Sequence, residues 1–394
     1  MGRLSACLTA LAACTCVATA APAQVEVAVS YLKVAVPVPP TLSNLDPDPD
    51  DLGRAGAELG LTDNATTGRF LGQSHTLTPV EVALDEDALA AARSALSESP
   101  LLVLDAPAET LLAVADLPEA AQALIFNVGA PDAALRDANC RANVLHTVPS
   151  LAMRTDALAQ FLATRRWGDV ALIEGTHDSD RAFAESLRRS LDKFGLRLRS
   201  EKTWAFDADM RRNATQEVPL FTQGLRGHDV LLVADETDDF GRYIAYNTWD
   251  ARPVAGSEGL VPRAWAPVLE QWGAAQLQSR FFDQSGRAMR SEDYAAWAAI
   301  RAVGEAVTRT GSAEVDTLRA FLVGPDFELA GFKGRPLSFR NWNGQMRQPI
   351  PLTTDRAMVA MAPLEGFLHP VSELDTLGLD RPESRCTAFS ENAR

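Results

Sequence analysis

The chain has 394 residues, of which 46% are apolar and 23% are charged. This composition is typical of a folded globular protein and excludes disorder as the main state. Lys and Arg number 37 against 52 Asp and Glu, a net charge of −15, which argues against nucleic acid as a partner because that binding relies on Lys and Arg. The length predicts two domains, or three.

The N-terminus has the pattern of an export signal. Arg3 supplies a positive charge, an apolar stretch follows, and residues 21–23 are the small residues of a cleavage site, with Gln24 as the mature start. We therefore predict that residues 1–23 are a signal peptide, that the protein works outside the cytoplasm and that no membrane span remains after processing. The alternative is a lipobox-like run that ends at Cys14, which would then carry a lipid anchor.

Two cysteines, Cys140 and Cys386, lie outside the signal region. In an oxidising compartment a pair of this kind predicts one disulfide, and two buried free thiols are the alternative. The sequence has no C-x-x-C pair and no Cys/His cluster, so we expect neither a zinc site nor thioredoxin-type chemistry.

Hydrophobic patterning predicts strands and helices in alternation, which is typical of an α/β fold with parallel sheets and helices on both faces. A loop rich in Pro and Asp is predicted at 37–51 and a turn at 66–72. In chain order, the predicted strands cover residues 30–36, 75–84, 101–105, 123–127, 170–174, 197–204, 229–235, 336–340, 349–353 and 357–361. The predicted helices cover residues 52–61, 85–96, 110–116, 150–164, 178–194, 265–282 and 291–309.

No catalytic motif is present. The sequence has no phosphate-binding loop, no G-x-S-x-G and no H-E-x-x-H. Gly53, Gly56 and Gly60 share one predicted helix without the spacing of a dinucleotide site, so we expect them to serve helix packing. No catalytic or metal-binding residue is predicted.

Ligands in parallel sheets bind beyond the carboxyl ends of the strands. The acidic run at 235–239 follows one such end; it could hold a cation through oxygen ligands, but we favour a solvated loop or a capped helix start. The candidate ligand-binding residues at or next to these ends are Asp105, Asn127, Gly129, His146, Glu174, Thr176 and Asp235.

The stretch 243–290 combines aromatic rings with guanidinium groups. Trp249, Trp265, Arg263 and Arg280 are its candidate ligand-binding residues. Rings stack on flat molecules and Arg forks bind carboxylates, so the stretch suits a flat anionic ligand. The same residues suit a helix–helix contact equally well.

Several segments resemble type I periplasmic substrate-binding proteins of ABC importers, of the Leu/Ile/Val-binding type. Residues 52–73 look like the first helix and turn of that family, and segments within 127–160 look like the region where its chain crosses between domains. The resemblance implies two lobes, each a mostly parallel sheet with helices on both faces, that close on a ligand by a hinge motion. Lobe 1 would comprise residues 24–145 and 284–335, and lobe 2 residues 146–283 and 336–394.

A narrower likeness concerns residues 272–277, 279–281 and 293–297, which resemble a subgroup found beside pyrroloquinoline-quinone-dependent alcohol dehydrogenase systems. This likeness implies pyrroloquinoline quinone as a ligand, with an alcohol-derived small molecule as the alternative. Amino-acid binders of the parent family usually present a loop rich in Ser and Thr where this chain has Gly129-Ala130-Pro131-Asp132, which argues against a plain amino acid.

The resemblance therefore implies a monomeric solute-binding protein without catalysis and without a required cofactor. Its partner would be an ABC permease or an alcohol dehydrogenase system. His146 would lie near the hinge. The alternative function is an accessory subunit or enzyme of a quinone-dependent alcohol oxidation system.

Overall fold

The structure is a computed structural model that describes residues 25–37, 48–205 and 210–389. The predicted signal peptide with Cys14, and part of the predicted loop rich in Pro and Asp, lie outside the described residues.

The first lobe is built on a five-stranded sheet in the order β2-β1-β3-β4-β5, in which every neighbouring pair is parallel. Two of its inner strands, residues 101–105 and 124–127, are apolar up to their last residue and buried on both faces, as parallel sheets require. In chain order the elements are β1 (Val25–Val34), α1 (Arg54–Leu71), β2 (Gln73–Val82), α2 (Ala88–Glu98), β3 (Leu101–Asp105), α3 (Ala108–Ala115), β4 (Leu124–Asn127) and β5 (Val144–His146).

The second lobe repeats the plan with a four-stranded parallel sheet in the order β7-β6-β8-β9. The predicted α/β class, with parallel sheets flanked by helices, is therefore confirmed. In chain order the elements are α4 (Leu151–Arg165), β6 (Asp169–Glu174), α5 (Asp178–Lys193), β7 (Arg197–Thr203), α6 (Met210–Thr222), β8 (Val230–Ala234), α7 (Gly241–Ile244) and β9 (Val254–Gly256).

The rest of the chain completes both lobes. A small antiparallel sheet has the order β10-β13-β14, and β11 pairs with β12 as a short hairpin. The elements are β10 (Val261–Pro262), α8 (Ala274–Ser285), α9 (Ser291–Thr310), α10 (Val315–Leu322), β11 (Ser338–Phe339), β12 (Met346–Arg347), β13 (Ile350–Thr353) and β14 (Met358–Ala362).

Each large sheet has a hydrophobic core on both faces. In the first lobe, α1, α8 and α9 cover one face and α2 and α3 the other. In the second lobe, α4, α5 and β13 cover one face and α6 and α7 the other. The chain passes between the lobes at residues 147–150, 262–264 and 345–349, which are here called the first, second and third crossing.

These crossings differ from the predicted lobe boundaries at 284 and 336. Ala264 and Trp265 already pack in the first core, and so do Phe339 and Met346 of the later hairpin. Burial of apolar side chains therefore assigns 264–346 to the first lobe, a division that the strand and helix pattern does not reveal.

Helix α1 packs directly against α9. A Cβ atom on Gly56 would lie 1.9 Å from the carbonyl oxygen of Asp293, and one on Gly60 would lie 2.9 Å from Cβ of Ile300. The predicted packing role is confirmed for Gly56 and Gly60, whereas Gly53 precedes the helix as its N-cap. The predicted turn at 66–72 is wrong, because the helix continues to Leu71 and ends at the left-handed Gly72.

The predicted helix at 265–282 is too long. Helix α8 begins only at Ala274, after Gly273 in the left-handed region. Pro267 precedes it and lacks the N–H that a helix interior needs. The segment before α8 is irregular and passes along the cleft between the lobes.

Candidate functional site

A cleft of about 320 Å³ lies between the lobes. It is lined from the first lobe by the loop after β4 and the start of α9, and from the second lobe by α4 and the loops after β8 and β9. The first and second crossings close its inner end. The lining residues are Val128, Gly129, Pro131, Val148, Pro149, Arg154, Asp235, Glu236, Asp238, Ser257, Val261, Pro262, Arg263, Ala264, Ser291 and Glu292. A wider cavity of about 610 Å³ adjoins it and shares Glu236, Asp238, Arg263, Ser291 and Glu292.

The loop after β8 is held in shape by Asp235. This buried carboxylate accepts backbone N–H bonds from Asp239 (2.9 Å), Phe240 (2.8 Å) and Gly241 (2.6 Å). Burial raises its pKa, and the three N–H donors oppose that rise. Asp235 therefore lines the cleft, as predicted from its place after a strand, but its oxygens are used to build the loop.

Arg154 and Glu236 form a bidentate ion pair on the cleft wall, with N–O distances of 2.6 and 3.1 Å. Arg154 also donates to the carbonyl of Pro262 in the second crossing, and Glu236 accepts from Ser257 (2.8 Å). Burial raises the pKa of Glu236, but Arg154, Ser257 and the field of Arg263 outweigh burial and hold it below its ordinary value. Both charges of the pair are therefore already satisfied.

Arg263 is the cleft guanidinium that remains available. It is solvent-exposed, lines both cavities and makes no side-chain hydrogen bond or ion pair with any residue that the structure describes. Its position is fixed through the backbone, because its N–H donates to the carbonyl of Pro351 (3.1 Å). Its charge opposes the rise in the pKa of Asp238 and Glu258.

Two carboxyl groups with raised pKa values face the same space. Burial and the nearby Asp235 raise the pKa of Asp238 to about 6, and Arg263 opposes the rise. Partial desolvation, Asp293 and Asp105 raise the pKa of Glu292 in the first turn of α9. Carboxyl groups of this kind can accept hydrogen bonds from a ligand, and can donate one when protonated.

Gly129 lies in the cleft wall because no side chain fits there. A Cβ atom would lie 2.3 Å from Oδ1 of Asp105 and 3.0 Å from the amide of Ala106. Asp105 is thus directly behind the wall, at the end of β3, where burial raises its pKa. Of the predicted residues, the structure brings Gly129, Asp235 and Arg263 together in the cleft lining, with Asp105 behind them.

Asn127 and His146 serve the scaffold. The Asn127 amide donates to the carbonyl of Ala130 (2.8 Å) and contacts Nδ1 of His146 (2.9 Å), while its oxygen accepts the N–H groups of Gly129 and Ala130. Asn127 thus has no polar atom left for a ligand. His146 lies at the end of β5 next to the first crossing; it is buried, and desolvation lowers its pKa well below the ordinary value.

The remaining predicted residues lie away from the cleft lining. Glu174 pairs with Arg188 on α5 (2.5 Å). Thr176 and Trp249 are exposed, and neither lines the cleft or the wider cavity beside it. Their strand or loop positions did not determine where their side chains lie.

Trp265 and Arg280 are used within the first lobe. The Trp265 ring is buried and stacks on Tyr294 at 4.9 Å, and its N–H donates to Gln278 (3.1 Å). Trp265 lines the wider cavity beside the cleft but not the cleft itself. Arg280 pairs with Asp63 in a separate cavity of the first lobe. The aromatic and cationic stretch is therefore mainly a packing feature, apart from Arg263.

Sequence reasoning missed several cleft residues. Glu236 lies two residues after the end of β8, next to Asp235, so its place beyond a strand end could have identified it, but the run 235–239 was interpreted as a solvated loop or a capped helix start. For Glu292 the sequence offers only a weak indication of a binding role, namely an acidic residue in the first turn of a helix, α9. No sequence pattern indicated Arg154, because its helix has the apolar spacing of an ordinary packed helix.

The crossings are joined by buried polar side chains. Gln345 donates to the carbonyls of His146 (3.2 Å) and Val148 (3.1 Å) and accepts from Arg136 (2.7 Å). Arg136 is buried without an ion pair among the described residues, and burial lowers its pKa to about 9. The third crossing is thereby bonded to the first.

The second crossing is joined through Lys333. Its ammonium group donates to the carbonyl of Ala264 (3.1 Å) and to Gln348 (2.7 Å), and Gln348 in turn donates to the carbonyl of Thr147 (2.7 Å). Burial lowers the pKa of Lys333 well below its ordinary value. All three crossings thus share one buried network that fixes the hinge geometry.

The predicted disulfide is present. Cys140 is bonded to Cys386, 246 positions later in the chain, with a Cα–Cα distance of 5.6 Å. Within the described ranges there is no group of three or more His, Cys, Asp or Glu side chains placed to hold a metal ion. The helices of those ranges include none that combines the length and apolar character needed to cross a membrane.

Solved structures with the same fold are solute-binding proteins. A branched chain amino acid ABC transporter periplasmic ligand-binding protein from Burkholderia xenovorans has a TM-score of 0.70 at 14% identity, over 92% of this chain and 100% of that chain. The leucine-, isoleucine-, valine-, threonine- and alanine-binding protein of Brucella ovis, in a closed conformation, has 0.66 at 13%, over 86% and 93%. A solute-binding protein of an ABC transporter from R. palustris, in complex with benzoate, has 0.63 at 12%, over 92% and 99%.

No family model matches the sequence, and no curated protein matches it. At this level of identity the solved structures establish the fold, which is that of periplasmic binding proteins of type I.

Proposed function

We propose that the protein is a solute-binding protein that captures a small polar molecule between its two lobes and delivers it to an ABC-type permease. The cleft lies where the two lobes and their crossings meet, so hinge closure would enclose a ligand on all sides. Its size falls in the range of small-molecule sites. Work in the periplasm, after removal of the predicted signal peptide, is part of this proposal.

The observation that carries the proposal is the unpaired Arg263 in the cleft. A guanidinium suits bidentate binding of a carboxylate, and burial of the contact on closure would strengthen it. Arg154, the other guanidinium of the lining, is neutralised by Glu236. The cleft therefore has one site for an anionic group.

The carboxyl groups of Asp238 and Glu292 define the rest of the ligand. They disfavour a second or third anionic group and favour hydrogen-bond donors or an ammonium group. Ser257 and Ser291 add hydroxyl groups to the lining. We therefore infer a small carboxylate that also carries donor groups.

Pyrroloquinoline quinone remains one ligand to test. It was implied by the likeness of residues 272–277, 279–281 and 293–297 to a subgroup of binding proteins. Of the aromatic and Arg side chains of 243–290 that would suit it, only Arg263 lines the cleft. Because the molecule carries several carboxylates, it fits the mixed charges of the cleft less well than a monocarboxylate does. An alcohol dehydrogenase system as partner depends on this ligand and is tested together with it.

A thermal-shift panel tests the proposal. Amino acids, aromatic carboxylates such as benzoate, hydroxy acids and pyrroloquinoline quinone would each be added to the wild type, to Arg263→Gln and to the control Arg197→Gln, whose exposed guanidinium pairs with Asp169 away from the cleft lining. We expect at least one carboxylate to raise Tm of the wild type and the control, and binding to Arg263→Gln to weaken by about 10-fold or more, the worth of one charged hydrogen bond.

Equal stabilisation of Arg263→Gln and the wild type by every binding compound would contradict the proposal. The same samples, incubated with each compound that binds and assayed by mass spectrometry, distinguish binding from catalysis. Conversion of the compound would favour the alternative of an enzyme in alcohol oxidation.

A further inference from the structure

We propose that the C-terminal tail, residues 363–389, is a strap that joins the two lobes a fourth time and limits their relative rotation. The tail contacts both lobes, and these contacts do not depend on a bound ligand.

One end of the strap is anchored on the second lobe. The amide of Gly378 donates to the buried carboxylate of Asp156 on α4 (2.8 Å), and Lys193 at the end of α5 donates to the Gly378 carbonyl (2.9 Å). The side chain of Leu377 is fully buried in the core of this lobe. Asp156 is held in place by Arg189 as well (2.7 Å). This anchor combines charge-assisted hydrogen bonds with apolar burial.

The other end is anchored on the first lobe. Cys386 is bonded covalently to Cys140, in the connection between β4 and β5. Arg385 makes two contacts with the carboxylate of Asp137 in the same connection (3.0 and 2.5 Å). Phe389 is buried in the core of the first lobe. The covalent bond makes this anchor permanent as long as the disulfide is intact.

The strap between the anchors is short. The chain from Gly378 to Cys386 spans about 28 Å at most when fully extended. Consecutive residues within it already touch opposite lobes: Glu383 lies 3.4 Å from Lys193, and the Ser384 hydroxyl donates to the carbonyl of Arg136 (2.9 Å). The strap therefore has little free length for the lobes to separate.

The strap lies where it can resist rotation of one lobe relative to the other. It runs beside the third crossing, where Arg347 donates to Asp375 (2.8 Å). Arg340 in the preceding hairpin donates to the same carboxylate (2.9 Å) and to the carbonyls of Leu377 and Leu379. A hinge rotation about the crossings must therefore move or stretch the strap. Polar contacts can break and reform during such a motion, whereas the disulfide sets a fixed limit.

Interlobe distances test the strap. Spin labels on p-acetylphenylalanine at Glu98 of α2 and Glu185 of α5, both exposed, report on the two lobes without added cysteines. The distance between the two labels would be measured by double electron–electron resonance. It would be compared between the intact protein, the Cys140→Ser/Cys386→Ser double variant and Lys193→Met. In both variants we expect the distance distribution to broaden by more than about 2 Å, the scale of domain rearrangements.

Arg188→Gln is the matched control, because Arg188 pairs with Glu174 and Glu201 inside the second lobe and does not touch the strap; its distribution should equal that of the intact protein. An unchanged distribution in a folded double variant would overturn the inference. If that variant does not fold, Lys193→Met decides, because it keeps the disulfide and removes the bonds of Lys193 to Gly378 and Glu383 at the other anchor. No ligand is needed, so the outcome is independent of the proposed function.

Discussion

At the scale of the residue, the surroundings decide whether an arginine binds a ligand or builds the structure. Arg154 and Arg263 line the same cleft, but Arg154 is paired with Glu236 while Arg263 has no partner among the described side chains. Arg280 pairs with Asp63, a residue more than two hundred positions earlier in the sequence. Partners this remote cannot be identified from a single sequence, so residue type suggested Arg263 and Arg280 alike, of which the structure places only Arg263 in the cleft lining.

The glycines of α1 allow a prediction at the same scale. Ala is normally a better helix former than Gly by about 1 kcal/mol. At Gly56, however, the added methyl group would lie 1.9 Å from the backbone oxygen of Asp293. We expect Gly56→Ala to lower the free energy of unfolding by about 1–3 kcal/mol, the cost of overpacking, measured by urea denaturation.

The control for that experiment is Gly227→Ala, since Gly227 lies outside the left-handed region and an added Cβ atom there would meet no atom within 4 Å. It should leave stability nearly unchanged. A Gly56→Ala variant as stable as this control would contradict the close contact between α1 and α9.

At the scale of the element, the strand-end rule was right where a loop leads into the space between the lobes. It identified the loops after β4 and β8, which bring Gly129 and Asp235 to the cleft. It was uninformative for β6, because Glu174 at the end of that strand pairs with Arg188 of α5. Which strand ends face the partner lobe depends on how the lobes are placed, which periodicity does not encode.

Helix α5 supports the cleft loop through Asp180, and this contact gives a pH dependence. The buried carboxylate accepts the amides of Glu236 (2.7 Å) and His177 (3.1 Å). Burial, aided by Asp235, raises its pKa from 3.8 to about 6 despite those bonds. Since the folded state favours the protonated form, the resulting stabilisation is full below about pH 4 and is lost as the pH rises through 6.

We therefore expect Asp180→Asn to change the pH slope of stability. Between pH 4 and 7 the wild type should lose up to about 3 kcal/mol relative to this variant, whatever the offset between the two proteins. The measurement is urea denaturation at intervals of pH. Asp178→Asn, at an exposed position in the first turn of the same helix, is the control and should follow the wild type. Parallel curves for all three proteins would contradict the assignment to Asp180.

At the scale of the whole molecule, the class of fold and the disulfide could be predicted from the sequence, because strand–helix alternation and two remaining cysteines are local or compositional signals. The hinge could not. Lys333, Gln345 and Gln348 are buried polar residues that join three separate crossings, and in the sequence they look like surface residues. Their role exists only once the two lobes are assembled.

The central claim, that a small carboxylate binds Arg263 and closes the lobes, is tested most directly by one distance. With labels at Glu98 and Glu185, the interlobe distance would be measured with and without the compound that raises Tm most in the thermal-shift panel. We expect the interlobe distance to change by more than about 2 Å in the wild type and not to change in Arg263→Gln at the same concentration. A bound wild type whose distance does not change, or an equal shift in Arg263→Gln, would contradict it.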